Sequence, residues 1–325
     1  MSRRHVLNVL LTVDVEIWPT GWNLDQGQFK KDFRKYIYGP TPHGQYALPI
    51  QLDLLNKFGV KGIFLVESLF ACEFGIEPLE EIVNLVQGAG HEVQLHLHPE
   101  WVSHLSEPLL GNRHARKLRD YSEGDQTTLI KQGLENLEMA GATKVNAFRA
   151  GGYAGNVVTL KALAANGISF DTSYNPCILG SGFDISTNGP LLQPTRIHNV
   201  LEVPVSCFCD WPGHFRHAQL GACSFAELSE MLVNAWQSGW DYFVIVSHGF
   251  ELLTPSKANR DPVISRRFTR LLEFLSKHAD KFKTPGFNDL TPENMAVDKA
   301  VTMLKSNPLR TTLRYAEQAT RRLFR

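Results

Sequence analysis

Four apolar runs of this sequence end in side chains that can do chemistry. Leu11-Thr12-Val13-Asp14-Val15-Glu16 sets two carboxylates two residues apart, and on a strand such side chains share a face. Two acids after an apolar run are costly to bury unless they bind a cation or share a proton. Glu92-Val93-Gln94-Leu95-His96-Leu97-His98-Pro99-Glu100 puts His96 and His98 on one face, with Glu100 four residues after His96. Two histidines with neighbouring acids supply three or more ligands for a zinc-like divalent ion and leave a water position open. Phe148-Arg149-Ala150-Gly151-Gly152-Tyr153 joins a cation to glycines that let backbone pass close to a ligand. Val244-Ile245-Val246-Ser247-His248 is a buried run ending in an imidazole. Each has a plainer reading: a solvated strand end, a core histidine, a structural salt bridge. Two acids alone favour that reading and His248 alone is equivocal; a histidine pair beside a second acidic strand end does not favour it.

The elements that would position these groups alternate. Strands are expected over Val6–Val15, Val60–Val66, Glu92–His98, Val145–Arg149 and Tyr242–His248. Between them fall helical patterns over Ala47–Phe58, Leu79–Gln87, Asp125–Ala140 and Asn156–Asn166. A capping box at Ser224 and Glu227 opens a helix to about Gln237, and Asp261-Pro262 supplies N-cap and N1 of another. Strand–helix alternation implies parallel strands with right-handed crossovers, hence an α/β barrel or a doubly wound sheet. In either, chemistry sits at the C-terminal strand ends, where these polar groups fall. Ile17–Tyr46, Cys177–His198 and Cys207–Cys223 break the alternation and are expected as long loops walling a substrate groove.

Lysine plus arginine and aspartate plus glutamate are equal at 33 each, so no global charge points to nucleic acid. The five cysteines lack zinc-ribbon spacing and read as free thiols of a reducing compartment. Arg3 and Arg4 before an apolar run imitate a signal peptide. Asp14 and Glu16 end that run with no small-residue cleavage site, so a cytoplasmic protein is expected.

Taken in order, the four sites resemble the polysaccharide deacetylase superfamily (NodB homology, carbohydrate esterase family 4), as a divergent member. The resemblance runs from about Val6 to about Leu290 through Asp14 and Glu16, His96 with Glu100, Arg149, Asp171-Thr172-Ser173, and Ile245 with His248. It implies a distorted parallel (β/α)7-type barrel, with a catalytic domain over 1–291 and a basic C-terminal helical extension over 292–325. Asp14 would be the catalytic base, oriented and kept ionised by Arg149, and His248 the general acid. Glu16 and His96 would bind a divalent metal, zinc by expectation, with His98 or Glu100 as third ligand. Two departures stand out: Glu100 replaces the family's second metal histidine, and Val15 replaces the usual second aspartate. The implied activity is hydrolysis of an N-acyl amide, acetyl by expectation, on an amino sugar or glycan precursor. The alternatives are a metal-poor ureide or formamide hydrolase on the same fold and a non-catalytic glycan-binding protein. A glycosidase using Asp14 and Glu16 would leave the histidines and Arg149 idle, and no Gly-x-Ser-x-Gly elbow supports a serine hydrolase.

From Lys305 to Arg325 six basic residues face one acid, Glu317. Leu309, Leu313, Ala316, Thr320 and Leu323 recur at roughly helical spacing. The segment is either a solvated helix packed on the barrel or a basic amphipathic helix for an anionic membrane surface.

Overall fold

The fold is known from a computed structural model that describes residues 5–178, 182–185 and 189–321. Seven of its strands form a parallel array among these residues: β1 Leu7–Val15, β2 Ile63–Glu67, β3 Glu92–Leu97, β4 Ala147–Ala150, β5 Phe170–Asp171, β6 Val200–Glu202 and β7 Tyr242–His248. Their order in space is β7-β1-β2-β3-β4-β5-β6, with Thr195–Ile197 added antiparallel to β6. The free edge of β7 is partly covered where Leu220 and Ser206 donate to the Val246 and Val244 carbonyls and Val246 donates to Ala218. The result is a parallel (β/α) half-barrel ringed by helices, as expected from the alternation.

Side-chain alternation divides each strand between two cores. On β1, Val9, Leu11 and Val13 face the helices within the large outer cluster. Leu10 faces inward with Ile63, Ala147, Phe170 and Val244, and Phe287 and Met295 join this inner cluster. The same inward parity carries Thr12, Asp14 and Glu16, so the barrel interior is apolar at one end and polar at the other.

The helices begin where local chemistry starts them. Asp261 caps Val263 and Ile264, Ser224 and Glu227 form the expected capping box, and Asn156 forms another with Thr159. The long loop expected over Ile17–Tyr46 is instead partly helical. Asp25 caps a helix over Gln26–Phe33 that runs on as a π-helical segment over Arg34–Tyr38. Phe29, Phe33 and Ile37 are its buried face. The stretches expected as loops over Cys177–His198 and Cys207–Cys223 also hold strands. One is Thr195–Ile197; the others, Cys207–Trp211 and His214–His217, form a hairpin. Within Cys177–His198, residues 179–181 and 186–188 lie outside the described residues.

The C-terminal stretch packs on this body. Leu304 and Lys305 pair with Phe208 and Cys209, and the helix Pro308–Arg321 lies against Phe225–Gln237. Its cations turn inward: Arg314 is fully buried against Asp210 (2.9 Å) and Glu227 (3.0 Å), Arg310 pairs with Glu230, and Arg321 with Asp261. Leu309, Leu313 and Tyr315 face outward. The described residues form the helix packed on the barrel, and the alternative, a basic membrane-facing surface, is not formed by them. Arg322, Leu323, Arg325 and the side chain of Thr320 lie outside the described ones, as do Arg3 and Arg4. No described helix is long and apolar enough to cross a membrane.

Candidate metal centre and active site

Pairing register brings the candidate residues together. Asp14 on β1 is directly paired with His248 on β7, Glu67 on β2 with His96 on β3, and His96 with Arg149 on β4. Asp14, Glu16, His96, His98, Tyr153 and His248 line one cavity of about 220 Å³ at the C-terminal ends of the strands.

Glu16, His96 and His98 offer one ligand atom each within 4.8 Å of one another, and all three are buried. The Nε2 atoms of His96 and His98 lie 3.2 and 3.4 Å from the same oxygen, Glu16 Oε1. Their other ring nitrogens face acceptors: His96 Nδ1 donates to the Arg149 carbonyl (2.8 Å), and His98 Nδ1 lies 3.4 Å from Glu100 Oε2. An acceptor behind each Nδ1 leaves each Nε2 lone pair directed at the Glu16 carboxylate, the arrangement metal-binding histidines adopt. Burial opposes a charged His98 ring, but Glu16, Glu100 and Glu67 raise its pKa well above the ordinary value. Burial likewise raises Glu16, and the two histidines more than reverse this, leaving it well below its ordinary value. Two imidazole nitrogens and a carboxylate around a point that attracts positive charge fit a divalent ion, which would bind in place of the proton His98 otherwise holds. Glu100, expected as an alternative ligand, stands behind His98 and outside this set. Gly151 is required here: a Cβ on it would lie 2.6 Å from His98 Nδ1.

Beside this set, Arg149 is fully buried and donates from Nη1 to Asp14 Oδ1 at 2.7 Å. Its remaining hydrogen bonds go to Thr172, from Nε to the carbonyl (3.0 Å) and from Nη2 to Oγ1 (3.3 Å). The neighbouring Asp171 is paired in register with Glu202, whose carboxyl burial and the Asp171 charge push well above its ordinary value. Across the cavity, Glu251 Oε2 accepts from His248 Nδ1 (2.9 Å) and from the His248 amide (3.0 Å). Burial works against a charged His248, yet Glu251, with Glu16 and Asp14 beyond, pushes its pKa up to about 9. His248 is thus a proton donor at neutral pH, with Nδ1 occupied and Nε2 left for the cavity.

Several residues of the site were not singled out in the sequence. Glu251 orients His248. Glu67 accepts from the His98 and Leu69 amides, and burial pushes its pKa up to about 7. Tyr153 follows Gly152 in the left-handed region, at φ 58° and 57°, and walls the cavity. A tyrosine after a glycine pair was the available signal for that turn. Trp18 donates to Glu16 Oε2 (2.7 Å) and sets its ring edge-on to His98. With Trp22, His104, His114 and Arg116 it lines an adjoining groove of about 630 Å³. The expectation of a walled groove in the Ile17–Tyr46 stretch is met by these tryptophans.

No family model and no curated protein matches the chain. Solved structures do. One, provisionally assigned as a polysaccharide deacetylase from Mycobacterium smegmatis, superposes with a TM-score of 0.53 at 19% identity, covering 92% of this chain and 97% of that one. A 4-alpha-glucanotransferase from Thermococcus litoralis superposes with a TM-score of 0.54 at 9% identity, over 92% of this chain and 42% of the other. A barrel shared with a glycosyl-transfer enzyme does not select a reaction; the site must do so. The chain has the NodB-like (β/α) barrel fold, the fold of the polysaccharide deacetylases.

Proposed function

We propose that this chain is a divalent-metal-dependent hydrolase that removes an N-acyl group, acetyl by preference, from an amino sugar or glycan precursor. The observation that carries the reading is a meeting around one small cavity: an N₂O donor set, a carboxylate held by a buried arginine, and an imidazole held charged by a second carboxylate. Glu16, His96 and His98 would hold the ion, and nitrogen and oxygen donors of this kind suit zinc. When bound, such an ion lowers the pKa of a coordinated water towards ~7 and polarises the substrate carbonyl. Asp14, fixed by Arg149, takes the proton of the attacking water. His248, charged at neutral pH, delivers its proton to the departing amine. Amide hydrolysis needs both transfers at one scissile bond, and residues on directly paired strand positions supply them.

A glycosidase is disfavoured by Glu16. Its carboxyl is held ionised by two imidazoles and cannot act as the protonated acid that glycoside cleavage needs. A purely glycan-binding protein would have no use for a charged imidazole opposite an arginine-held carboxylate. We place the reaction in the cytoplasm, where five free cysteines stay reduced. Metal analysis with acetate and formate release across a panel of N-acylated sugars tests the proposal. Stoichiometric metal and acetate release lost on chelation are expected. Full activity after chelation would favour the metal-poor ureide or formamide reading, and no release from any metal-replete sample would overturn the function.

A further inference from the structure

Two lysines converge on the His248 side of the cavity without an acidic partner. Lys35 and Tyr36 belong to the π-helical segment Arg34–Tyr38, an irregularity that recurs at functional sites. Gly39, which ends that segment, presses so closely on Leu253 and Ala47 that a Cβ there would lie 2.7 Å and 2.9 Å from their side chains. The segment is thereby held against the loop after β7. In that loop Lys257 sits in the left-handed region at φ 62°, which a long side chain rarely adopts. Its ammonium lies 4.1 Å from the centre of the Phe250 ring. Phe250 in turn stacks on His248 at 5.4 Å and meets the Tyr36 ring edge-on at 5.3 Å. The Lys35 ammonium stands 5.3 Å from the centre of the Tyr36 ring.

Among the described residues neither ammonium has an ion pair or a hydrogen bond to a carboxylate. Glu251, the acid that pulls most strongly on Lys257, is engaged by His248 and Gln219. Burial lowers the Lys257 pKa, and Lys35 and Arg321 add to that against the opposing pull of Glu251 and Glu16. The repulsion between Lys35 and Lys257 is countered by Glu251 and Glu16 only from a distance, with no direct ion pair to either ammonium among the described residues. A ligand anion would offset it.

We infer that Lys35 and Lys257 form an anion subsite for the amine-bearing half of the substrate, so that the amino sugar carries a phosphate or a carboxylate. This rests on the amide-hydrolase reading, because the half of the substrate is assigned from the proton His248 gives to the leaving amine. Phe250, stacked on His248 and met edge-on by Tyr36, links the two lysines to the cavity wall.

Binding of an N-acetylhexosamine, its 1-phosphate and the corresponding N-acetylated uronic acid to the full-length, metal-replete protein tests the subsite. Calorimetry and kcat/KM are both read. At least one anionic sugar is expected to bind about ten-fold more tightly than the neutral one, the scale of one charge-assisted hydrogen bond. Which of the two does so distinguishes phosphate from carboxylate. Lys35→Gln and Lys257→Asn should each remove most of that preference and leave neutral-sugar turnover unchanged. Asparagine tolerates the left-handed backbone, so Lys257→Asn keeps the loop, and Lys257→Arg should keep the preference. Equal binding of neutral and anionic sugars, no binding of any anionic sugar, or a preference that survives both substitutions overturns the subsite. Amide hydrolysis with no anion preference would leave the proposed function standing. Lysine-dependent anion binding without hydrolysis of any sugar would overturn the function and leave the subsite.

Discussion

Arg149 and Arg314, two of the fully buried arginines among the described residues, are both paired with acids, and to different ends. Arg314, on the C-terminal helix, is closed on both sides, by Asp210 from a hairpin strand and Glu227 from the helix beneath. Every element it touches is joined to another, and no cavity reaches it among those described. Arg149 gives a single short bond to Asp14 and otherwise binds Thr172, and the Asp14 carboxylate borders the cavity. One pair exhausts its charges inside the fold, whereas the other leaves a carboxylate facing reactive space. Burial and pairing alone, therefore, do not mark a catalytic charge; access to a cavity beside further titratable groups does.

The comparison can be broken at several points. His96→Ala should abolish metal content and turnover together, and full metal occupancy in that variant would sink the ligand set. Asp14→Asn and His248→Ala should each lower turnover by about 100-fold or more while retaining metal, as for general base and acid. Near-normal rates in either would show its role misassigned. Arg314→Met should leave turnover intact but cost about 3–5 kcal/mol of stability by leaving the buried Glu227 carboxylate without its cation and removing one of the three partners of Asp210. Denaturant unfolding beside an activity assay separates this from Arg149→Met, which should lose turnover.

A pH effect sharpens the structural half. Burial raises the Asp210 carboxyl, but hydrogen bonds from Arg216, His214 and Arg314 bring it down to about 2. Its unfolded value is ~3.9, so its stabilisation is complete above that pH and is lost as pH falls towards 2. Thermal midpoints between pH 5 and pH 2 should fall more steeply in wild type than in Asp210→Asn; parallel curves would remove Asp210 from the account. The smallest expected effect is on membranes. With Arg310, Arg314 and Arg321 engaged internally, full-length protein should stay unbound on anionic liposomes at low salt. Flotation with the liposomes would restore a membrane role for the helix.

Much of the site was legible because a strand's two-residue period converts spacing directly into a shared face. Asp14 with Glu16 and His96 with His98 needed no tertiary information to be paired, and buried apolar runs marked their strands. Glu100 was harder: the residue after a proline turn has no fixed direction, and only the fold puts its carboxylate behind His98. Glu251 was invisible because a turn, with no periodicity, brings it onto His248. The helix over Gln26–Phe33 did carry a signal, Asp25 capping Gln28 and aromatics four apart, but Gly, Pro and Trp around it suggested a loop. The hairpin joining Thr195–Ile197 to β6 turns on His198 and Asn199, both left-handed at φ 48° and 66°. Such a turn is usually announced by Asn-Gly, so nothing in the sequence flagged it.

The direct pairing of Asp14 with His248 has a consequence for how this protein could change over evolutionary time. The proposed base and acid sit on the same rung of one ladder, and a slip of either strand by one residue would turn its side chain out of the interior. Their separation is thus set by backbone hydrogen bonds and is insulated from whatever the surrounding loops do. Insertions in the tryptophan-bearing segment or the loop after β7 can remodel what is admitted without retuning the chemistry. Grafting those loops between barrels of this kind should move substrate preference as a separable module.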